Sequence, residues 1–243
     1  MNGFFVTIKN SGICWTARKD YSGYIEIFSQ PPAGLPSTGA GRHSHPIYTI
    51  PETGERLIIK QYRRGGLISH LNKKTFLDKN RAFNEMKLSQ YALEKSVPTA
   101  QIVAAGYKAI IPGIYHLHIV SKMIENARPL PEFLCDLNAN DLNSAKEAAQ
   151  AVTEAILRLH NAGILHCDLN ANNILIGSSS KNKLSAYIID LDKSSVNNEL
   201  PFNRRIKNLQ RLDRSMKKLK DAGKLNMRVE MPCFSELYAK YEP

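Results

Sequence analysis

The sequence predicts an α+β protein of two lobes, in which a strand-rich part with one helix precedes a mostly helical part. Short alternating or apolar runs dominate residues 1–121, with one helical pattern among them. The two longest patterns of helical period, at residues 144–160 and 202–220, both fall within residues 122–243. We therefore expect an antiparallel sheet in the N-terminal lobe, residues 1–121, and a helical C-terminal lobe, residues 122–243.

Composition indicates a globular, basic protein whose partners carry negative charge. Hydrophobic residues make up 43% of the 243, which is ample for a core. Lys and Arg outnumber Asp and Glu by 33 to 22, so nucleotides, nucleic acid and anionic membranes are all candidate partners. The four cysteines form no Cys-x-x-Cys pair, and there is no apolar run of ~18 residues. We expect a cytoplasmic protein whose contact with a membrane is peripheral.

The first 60 residues contain a candidate phosphate-binding loop between strands. Aromatic and apolar residues alternate within residues 1–30, which predicts a small leading strand pair and an amphipathic turn. Gly39 and Gly41 then precede two further strands, the second of which, residues 57–60, ends in Lys60. Because glycine lacks a side chain, such a loop can bring backbone N–H groups close to phosphates. A hairpin turn for the glycines and a solvated edge-strand lysine are the alternatives.

A basic stretch follows between residues 62 and 81. A charge run is usually a solvated face, but Arg63 and Arg64, followed by two glycines, can instead hold an anionic acceptor. The next elements are a helix and two strands, predicted over residues 80–95, 101–107 and 115–124.

The clearest helix is predicted over residues 144–160. Ser144 and Glu147 have the spacing of a capping box, and apolar residues recur every three or four positions. A second amphipathic helix, over residues 202–220, carries many basic residues outside its apolar stripe. A helix packed on its lobe with a wet basic face is one interpretation, and contact with an anionic lipid surface is the other.

The loop after the first of these helices has residues suited to phosphoryl transfer. Asp168 and Asn173 stand five positions apart, directly before an apolar strand at residues 174–176. An Asp there can accept the proton of an attacking hydroxyl, and the Asn can hold a metal ion that bridges nucleotide phosphates. A later apolar strand ends in Asp190, a suitable Mg²⁺ ligand. For each acid alone, a solvated turn or a helix cap is the alternative.

Four segments together resemble the protein-kinase-like superfamily and, within it, the Kdo (3-deoxy-D-manno-octulosonic acid) kinases and related heptose kinases of Gram-negative bacteria. These segments are residues 62–67, 166–173, 189–193 and 208–215. The resemblance spans residues 38–220 and implies a two-lobed protein-kinase-like fold that uses ATP and Mg²⁺.

The resemblance also implies how the nucleotide is bound. Lys60 would bind the α and β phosphates, and Glu85, with Glu94 as the second candidate, would hold Lys60 in place. The glycine loop would cover the nucleotide. The implied loop and hinge residues are Gly39, Gly41, Met123 and Ile124.

For the chemistry, the resemblance implies Asp168 as the catalytic base, with Asn173 and Asp190 as metal ligands. The implied acceptor is the 4-hydroxyl of a Kdo residue on a lipid A precursor, at the cytoplasmic face of the inner membrane. Candidate substrate contacts are Arg63, Arg64 and Asp192.

The chain departs from typical protein kinases in its catalytic loop. Cys167 and Asn170 replace the usual Arg and Lys, and Asp190-Leu191-Asp192 replaces the Asp-Phe-Gly triplet. No Ala-Pro-Glu element follows, and too few residues remain for a peptide-binding lobe. We therefore expect a small-molecule or glycolipid acceptor and no protein substrate.

Two further functions stay open. One is a heptose kinase or a more distant aminoglycoside-type kinase, which an acceptor panel would distinguish. The other is a non-catalytic basic module with a degenerate kinase fold. We expect no nucleic acid partner, because the basic residues do not interleave with aromatic residues that could stack on bases.

Overall fold

The computed structural model describes residues 4–38, 44–63, 74–137, 141–178, 183–225 and 231–241. The chain divides into two compact units. The first comprises residues 1–90 and 101–123, and the second comprises residues 91–100 and 124–243.

The first unit is built on an antiparallel sheet of six strands. Their order across the sheet is β1-β2-β5-β6-β4-β3, and every neighbouring pair is antiparallel. The strands are β1 (Phe5–Asn10), β2 (Ile13–Arg18), β3 (Ile47–Thr49), β4 (Arg56–Gln61), β5 (Ile102–Ile111) and β6 (Ile114–Lys122). Among the described residues, the α-helices α1 (Ile25–Ser29) and α2 (Arg81–Glu94) accompany them.

The predicted antiparallel sheet, its leading strand pair and the helix near residues 80–95 are confirmed. After the leading pair, where an amphipathic turn was predicted, residues 25–29 form the short helix α1. Ile25 and Phe28 of α1 are three positions apart and both buried, which is helical spacing.

Alternation along β4 sends its side chains to opposite faces of the sheet. Leu57 and Ile59 are buried in the cluster that contains Trp15. Lys60 has the opposite parity and therefore lies on the other face, together with Tyr62. Tyr62 belongs to the second buried cluster, which includes Met86 of α2. The strand register thus places Lys60 on the α2 side of the sheet.

The second unit is mostly helical and contains two small sheets, β10-β9-β7 and β11-β8. Its helices are α3 (Leu130–Cys135), α4 (Leu142–Asn161), α5 (Phe202–Asp221) and α6 (Phe234–Ala239). Its strands are β7 (Ala127–Pro129), β8 (Ile164–Leu165), β9 (Ile174–Ser178), β10 (Leu184–Ile188) and β11 (Ser195–Val196).

The capping box expected at the start of α4 is wrong. The helix begins at Leu142 with Asp141 at the N-cap, so Ser144 already lies inside the first turn. No residue that breaks a helix separates Leu142 from Ser144, and the helix extends accordingly. The apolar stripe of α4 is buried as expected, with Val152, Ile156 and Leu159 at 0% exposure.

Among the residues that the structure describes, no helix has both the length and the apolar character needed to cross a bilayer.

Candidate active site

The loop between β8 and β9 holds Asp168 by hydrogen bonds from two asparagines. Asn173 donates from Nδ2 to the backbone carbonyl of Asp168 at 2.9 Å. Asn170 donates to the same carbonyl at 3.0 Å and to the carboxylate Oδ2 at 3.1 Å. The carboxylate of Asp168 is exposed on the loop surface. Asn170, which stands where protein kinases have Lys, therefore fixes the orientation of the Asp168 carboxylate.

The β9–β10 pair brings Asn173 and Asp190 to one end of the hairpin. Ile174 pairs with Ile188, and the N–H of Ile189 donates to the carbonyl of Asn173 at 2.9 Å. Asn173 therefore precedes β9 at the same end at which Asp190 follows β10. Together with the bond from Asn173 to Asp168, this register gathers three of the predicted site residues in one place.

This end of the hairpin supplies oxygen donors of the kind that Mg²⁺ prefers. The amide nitrogen of Asn173 donates to the carbonyl of Asp168, so the amide oxygen of Asn173 is the atom that can bind a metal ion. Asp190 contributes an exposed carboxylate. Within the described ranges, no group of three or more His, Cys, Asp or Glu side chains forms a metal cage. Proteins usually hold Mg²⁺ by one or two carboxylates together with nucleotide phosphates, and Asn173 and Asp190 fit this pattern.

Asp190 occupies a left-handed backbone conformation, with φ at +61°. Asp and Asn tolerate this region better than other residues with a side chain. The following Leu191 is 2% exposed, so its burial anchors the turn. Lys193, with φ at +59°, ends the same turn, and Asp192 between them is half-buried. The backbone conformation of Asp190 and the burial of Leu191 thus fix the orientation of the Asp190 side chain.

His166 orients the loop through both ring nitrogens. Nδ1 accepts from the N–H of Asp168 at 3.1 Å, and Nε2 donates to the carbonyl of Ile189 at 3.1 Å. Burial lowers the pKa of His166, although the hydrogen bond to Ile189 acts to raise it. A neutral ring with its proton on Nε2 satisfies both bonds, so His166 fixes the conformation of the loop.

A buried chain of polar groups supports the loop from behind. The amide of Asn208, on α5, donates to the carbonyl of His166 at 2.9 Å and accepts from Nε2 of His160 at 3.2 Å. The other nitrogen of His160 accepts from the Tyr238 hydroxyl at 3.0 Å. Burial lowers the pKa of His160 to about 4, so its ring is neutral at pH 7. The chain links α4, α5 and α6 to the catalytic loop.

Two serines complete the attachment of the loop. Ser215, about two turns beyond Asn208 on α5, accepts from the N–H of Ala171 at 3.2 Å. Ser194 accepts from the N–H of Cys167 at 3.2 Å. Sequence reasoning assigned no role to Asn208, Ser215 or Ser194. Two signals were available: the resemblance of residues 208–215 to the kinase family, and the polar Asn208 beside the apolar stripe of α5, where it is 6% exposed.

In the first unit, Tyr62 lies between Lys60, the residue predicted to bind phosphate, and Glu85, the residue predicted to hold Lys60 in place. Its hydroxyl donates to the carboxylate of Glu85, and Nζ of Lys60 lies 5.9 Å from its ring centroid. Glu85 is 8% exposed, whereas Glu94 is an exposed residue of the same helix. The arrangement favours Glu85 over Glu94 as the partner of Lys60.

For the remaining predicted site residues, the structure gives less information about their contacts. The N–H of Met123 donates to the carbonyl of Arg56 at 2.8 Å, so this hinge N–H is already engaged within the first unit. Ile124 begins the long segment of the second unit. Arg63 is exposed and follows Tyr62. Gly39, Gly41 and Arg64 lie outside the described residues.

Comparisons with known proteins agree with the resemblance. The family model described as "Lipopolysaccharide kinase (Kdo/WaaP) family" matches residues 49–229. A 3-deoxy-D-manno-octulosonic acid kinase of Actinobacillus succinogenes is 30% identical over 200 residues, covering 81% of this chain and 79% of that protein. One from Haemophilus influenzae is 31% identical over 193 residues, covering 77% and 76%.

Among solved structures, WaaP in complex with acyl carrier protein is similar, with a TM-score of 0.54 and 19% sequence identity. The match covers 86% of this chain and 79% of that one. The predicted α+β, protein-kinase-like fold class is confirmed.

Proposed function

Because this chain belongs to the lipopolysaccharide kinase (Kdo/WaaP) family, it is a phosphotransferase of lipopolysaccharide biosynthesis, and we propose that it uses ATP to phosphorylate the 4-hydroxyl of a Kdo residue on a lipid A precursor. The observation that carries this proposal is the grouping of Asp168, Asn173 and Asp190 at one end of the β9–β10 hairpin. These are the residue types that phosphoryl transfer to an alcohol requires.

Asp168 acts as the general base in this proposal. Its carboxylate is exposed toward an incoming hydroxyl, and Asn170 holds one of its oxygens at 3.1 Å. Asn170 uses the amide nitrogen for this bond, so it orients the carboxylate without neutralising it. The neutral His166 ring fixes the backbone N–H of Asp168 and takes no part in proton transfer.

Asn173 and Asp190 would hold Mg²⁺ by their side-chain oxygens, and the ion would offset the negative charge of the nucleotide phosphates. For the nucleotide, Lys60 would bind phosphate oxygens and Glu85 would position Lys60, and we assign Gly39 and Gly41, which lie outside the described residues, to nucleotide binding.

The basic exposed side of α5 supports a peripheral position at the cytoplasmic face of the inner membrane. Lys and Arg near an anionic lipid surface contribute on the order of 1 kcal/mol each. The exposed basic residues on this helix include Arg204, Lys207, Arg214, Lys217 and Lys218.

An acceptor panel tests the proposal. Purified protein is incubated with γ-labelled ATP, Mg²⁺ and one acceptor at a time: a Kdo-bearing lipid A precursor, a heptosylated acceptor, an aminoglycoside or a general protein substrate. We expect label on the Kdo acceptor and none on protein. Label only on a heptosylated acceptor or an aminoglycoside would keep the kinase chemistry and reject Kdo as the substrate. Binding of ATP without transfer to any acceptor would favour the non-catalytic alternative.

A further inference from the structure

Arg211 stands on the face of α5 that contacts the catalytic loop. Asn208 and Ser215 are three residues before and four residues after it, which places all three on one side of the helix. Asn208 donates to the carbonyl of His166, and Ser215 accepts from the N–H of Ala171. The loop therefore runs alongside α5 from residue 166 to residue 171, and Arg211 lies beside the part that contains Asp168.

The guanidinium of Arg211 is close enough to act on this loop electrostatically. Burial is the main cause of the lowered pKa of His166, and the positive charge of Arg211 adds to the lowering. Asp190 and Asp168 act in the opposite direction. The charges of Arg211, Asp168 and Asp190 therefore all act on the same buried ring.

Arg211 is exposed and has no hydrogen bond or ion pair with any residue that the structure describes. Arg204, about two turns earlier on α5, differs in this respect because it donates to Asn197 at 3.3 Å. Within the described part of the chain, the guanidinium of Arg211 is therefore an unpaired cation beside the loop that contains Asp168, on a helix that is itself bonded to this loop through Asn208 and Ser215.

We propose that Arg211 binds the carboxylate of the acceptor sugar and so selects an acidic sugar as the substrate. The inference rests on the proposed function, because it assumes that the acceptor is Kdo, an acid. An anionic acceptor is repelled by the exposed carboxylates of Asp168 and Asp190, and by the nucleotide phosphates. A guanidinium offsets this repulsion, and its planar pair of N–H donors matches the two oxygens of a carboxylate.

The experiment varies the enzyme and the acceptor together. Wild type, Arg211→Gln and Arg211→Lys are assayed with the Kdo-bearing lipid A precursor in detergent micelles. The same acceptor with its Kdo carboxylate converted to a primary amide is assayed in parallel. Arg214→Gln is the matched control, because Arg214 is an exposed arginine of the same helix.

We expect wild type to lose about 10- to 100-fold in kcat/KM on the amide, as for loss of one charged hydrogen bond. Arg211→Gln loses a similar factor on the acid and shows no further loss on the amide, while KM for ATP stays unchanged. Arg211→Lys keeps part of the preference for the acid, and Arg214→Gln keeps all of it.

Two results would overturn the inference about Arg211 and leave the proposed function standing. One is full discrimination between acid and amide by Arg211→Gln, and the other is an equal loss in Arg214→Gln, which would indicate general attraction by the basic helix. If wild type transfers phosphate to no Kdo acceptor, the proposed function fails and the inference fails with it. Thermal unfolding of each variant confirms that the fold is intact.

Discussion

The side-chain amide of Asn208 donates a hydrogen bond of 2.9 Å to the backbone carbonyl of His166. Both residues are buried, at 6% and 1% exposure, and they are 42 positions apart in the sequence. Because the same amide also accepts from His160, one side chain attaches the catalytic loop to two helices. The position of Asp168, two residues beyond His166, depends on this attachment.

Replacing Asn208 by Leu should destabilise the protein and slow catalysis. The carbonyl of His166 and Nε2 of His160 would each lose a buried partner, and an unpaired buried polar group costs about 1–3 kcal/mol. We expect the free energy of unfolding in urea to fall by at least about 2 kcal/mol, with a lower kcat and little change in KM for ATP.

The matched control for this substitution is Gln210→Leu, since Gln210 is an exposed amide on the same helix. It should leave both quantities near their wild-type values. Equal effects from the two substitutions would show that Asn208 does not support the loop.

The difference between what the sequence predicted and what it missed has a physical cause. The strand ending in Asp190 and the loop from Asp168 to Asn173 are local patterns, so spacing alone identified them as candidates. The bonds from Asn208 to His166 and from Ser215 to Ala171 join residues more than 40 positions apart. No local periodicity encodes such a contact.

Replacing Asp190 by Asn should weaken Mg²⁺ binding without straining the backbone. Asn tolerates the left-handed conformation that Asp190 adopts, so Asp190→Asn removes the charge and keeps the backbone. We expect kcat to fall at least about 100-fold, as for loss of an electrostatic contact to the transferring group. The Mg²⁺ concentration at half-maximal rate should also rise, as measured by Mg²⁺ titration of phosphate transfer. An unchanged Mg²⁺ dependence would remove Asp190 from the metal site.

The two glutamates of α2 should behave differently. Glu85 is buried and accepts from Tyr62, whereas Glu94 is exposed. We expect Glu85→Gln to raise KM for ATP about 10-fold, because the charged partner of Lys60 is lost. Glu94→Gln should leave KM for ATP unchanged. If Glu94→Gln raised KM for ATP and Glu85→Gln did not, Glu94 would be the partner of Lys60.

Stability should fall as the pH falls from 6.5 toward 4. Burial lowers the pKa of His118 to about 4, so the unfolded state takes up a proton in this range before the folded state does. Each such histidine changes the free energy of unfolding by up to about 1.4 kcal/mol per pH unit in this range. Above pH 6.5 both states are neutral, and this contribution no longer varies.

Urea unfolding at several pH values measures this slope. His118→Leu should give a shallower dependence of unfolding free energy on pH than wild type between pH 4 and 6.5, and the same dependence at pH 7 to 8. Identical slopes for the two proteins across the acidic range would show that His118 does not titrate on unfolding.

The most direct test of the central claim is phosphate transfer by wild type and Asp168→Asn to the Kdo-bearing lipid A precursor, with the product identified by phosphorus NMR. We predict a phosphomonoester on the 4-hydroxyl of Kdo with wild type. Asp168→Asn should transfer about 10²- to 10⁴-fold more slowly, which is the usual contribution of a general base, while still binding ATP. A wild-type rate in Asp168→Asn, or phosphate on any other group, would contradict the account.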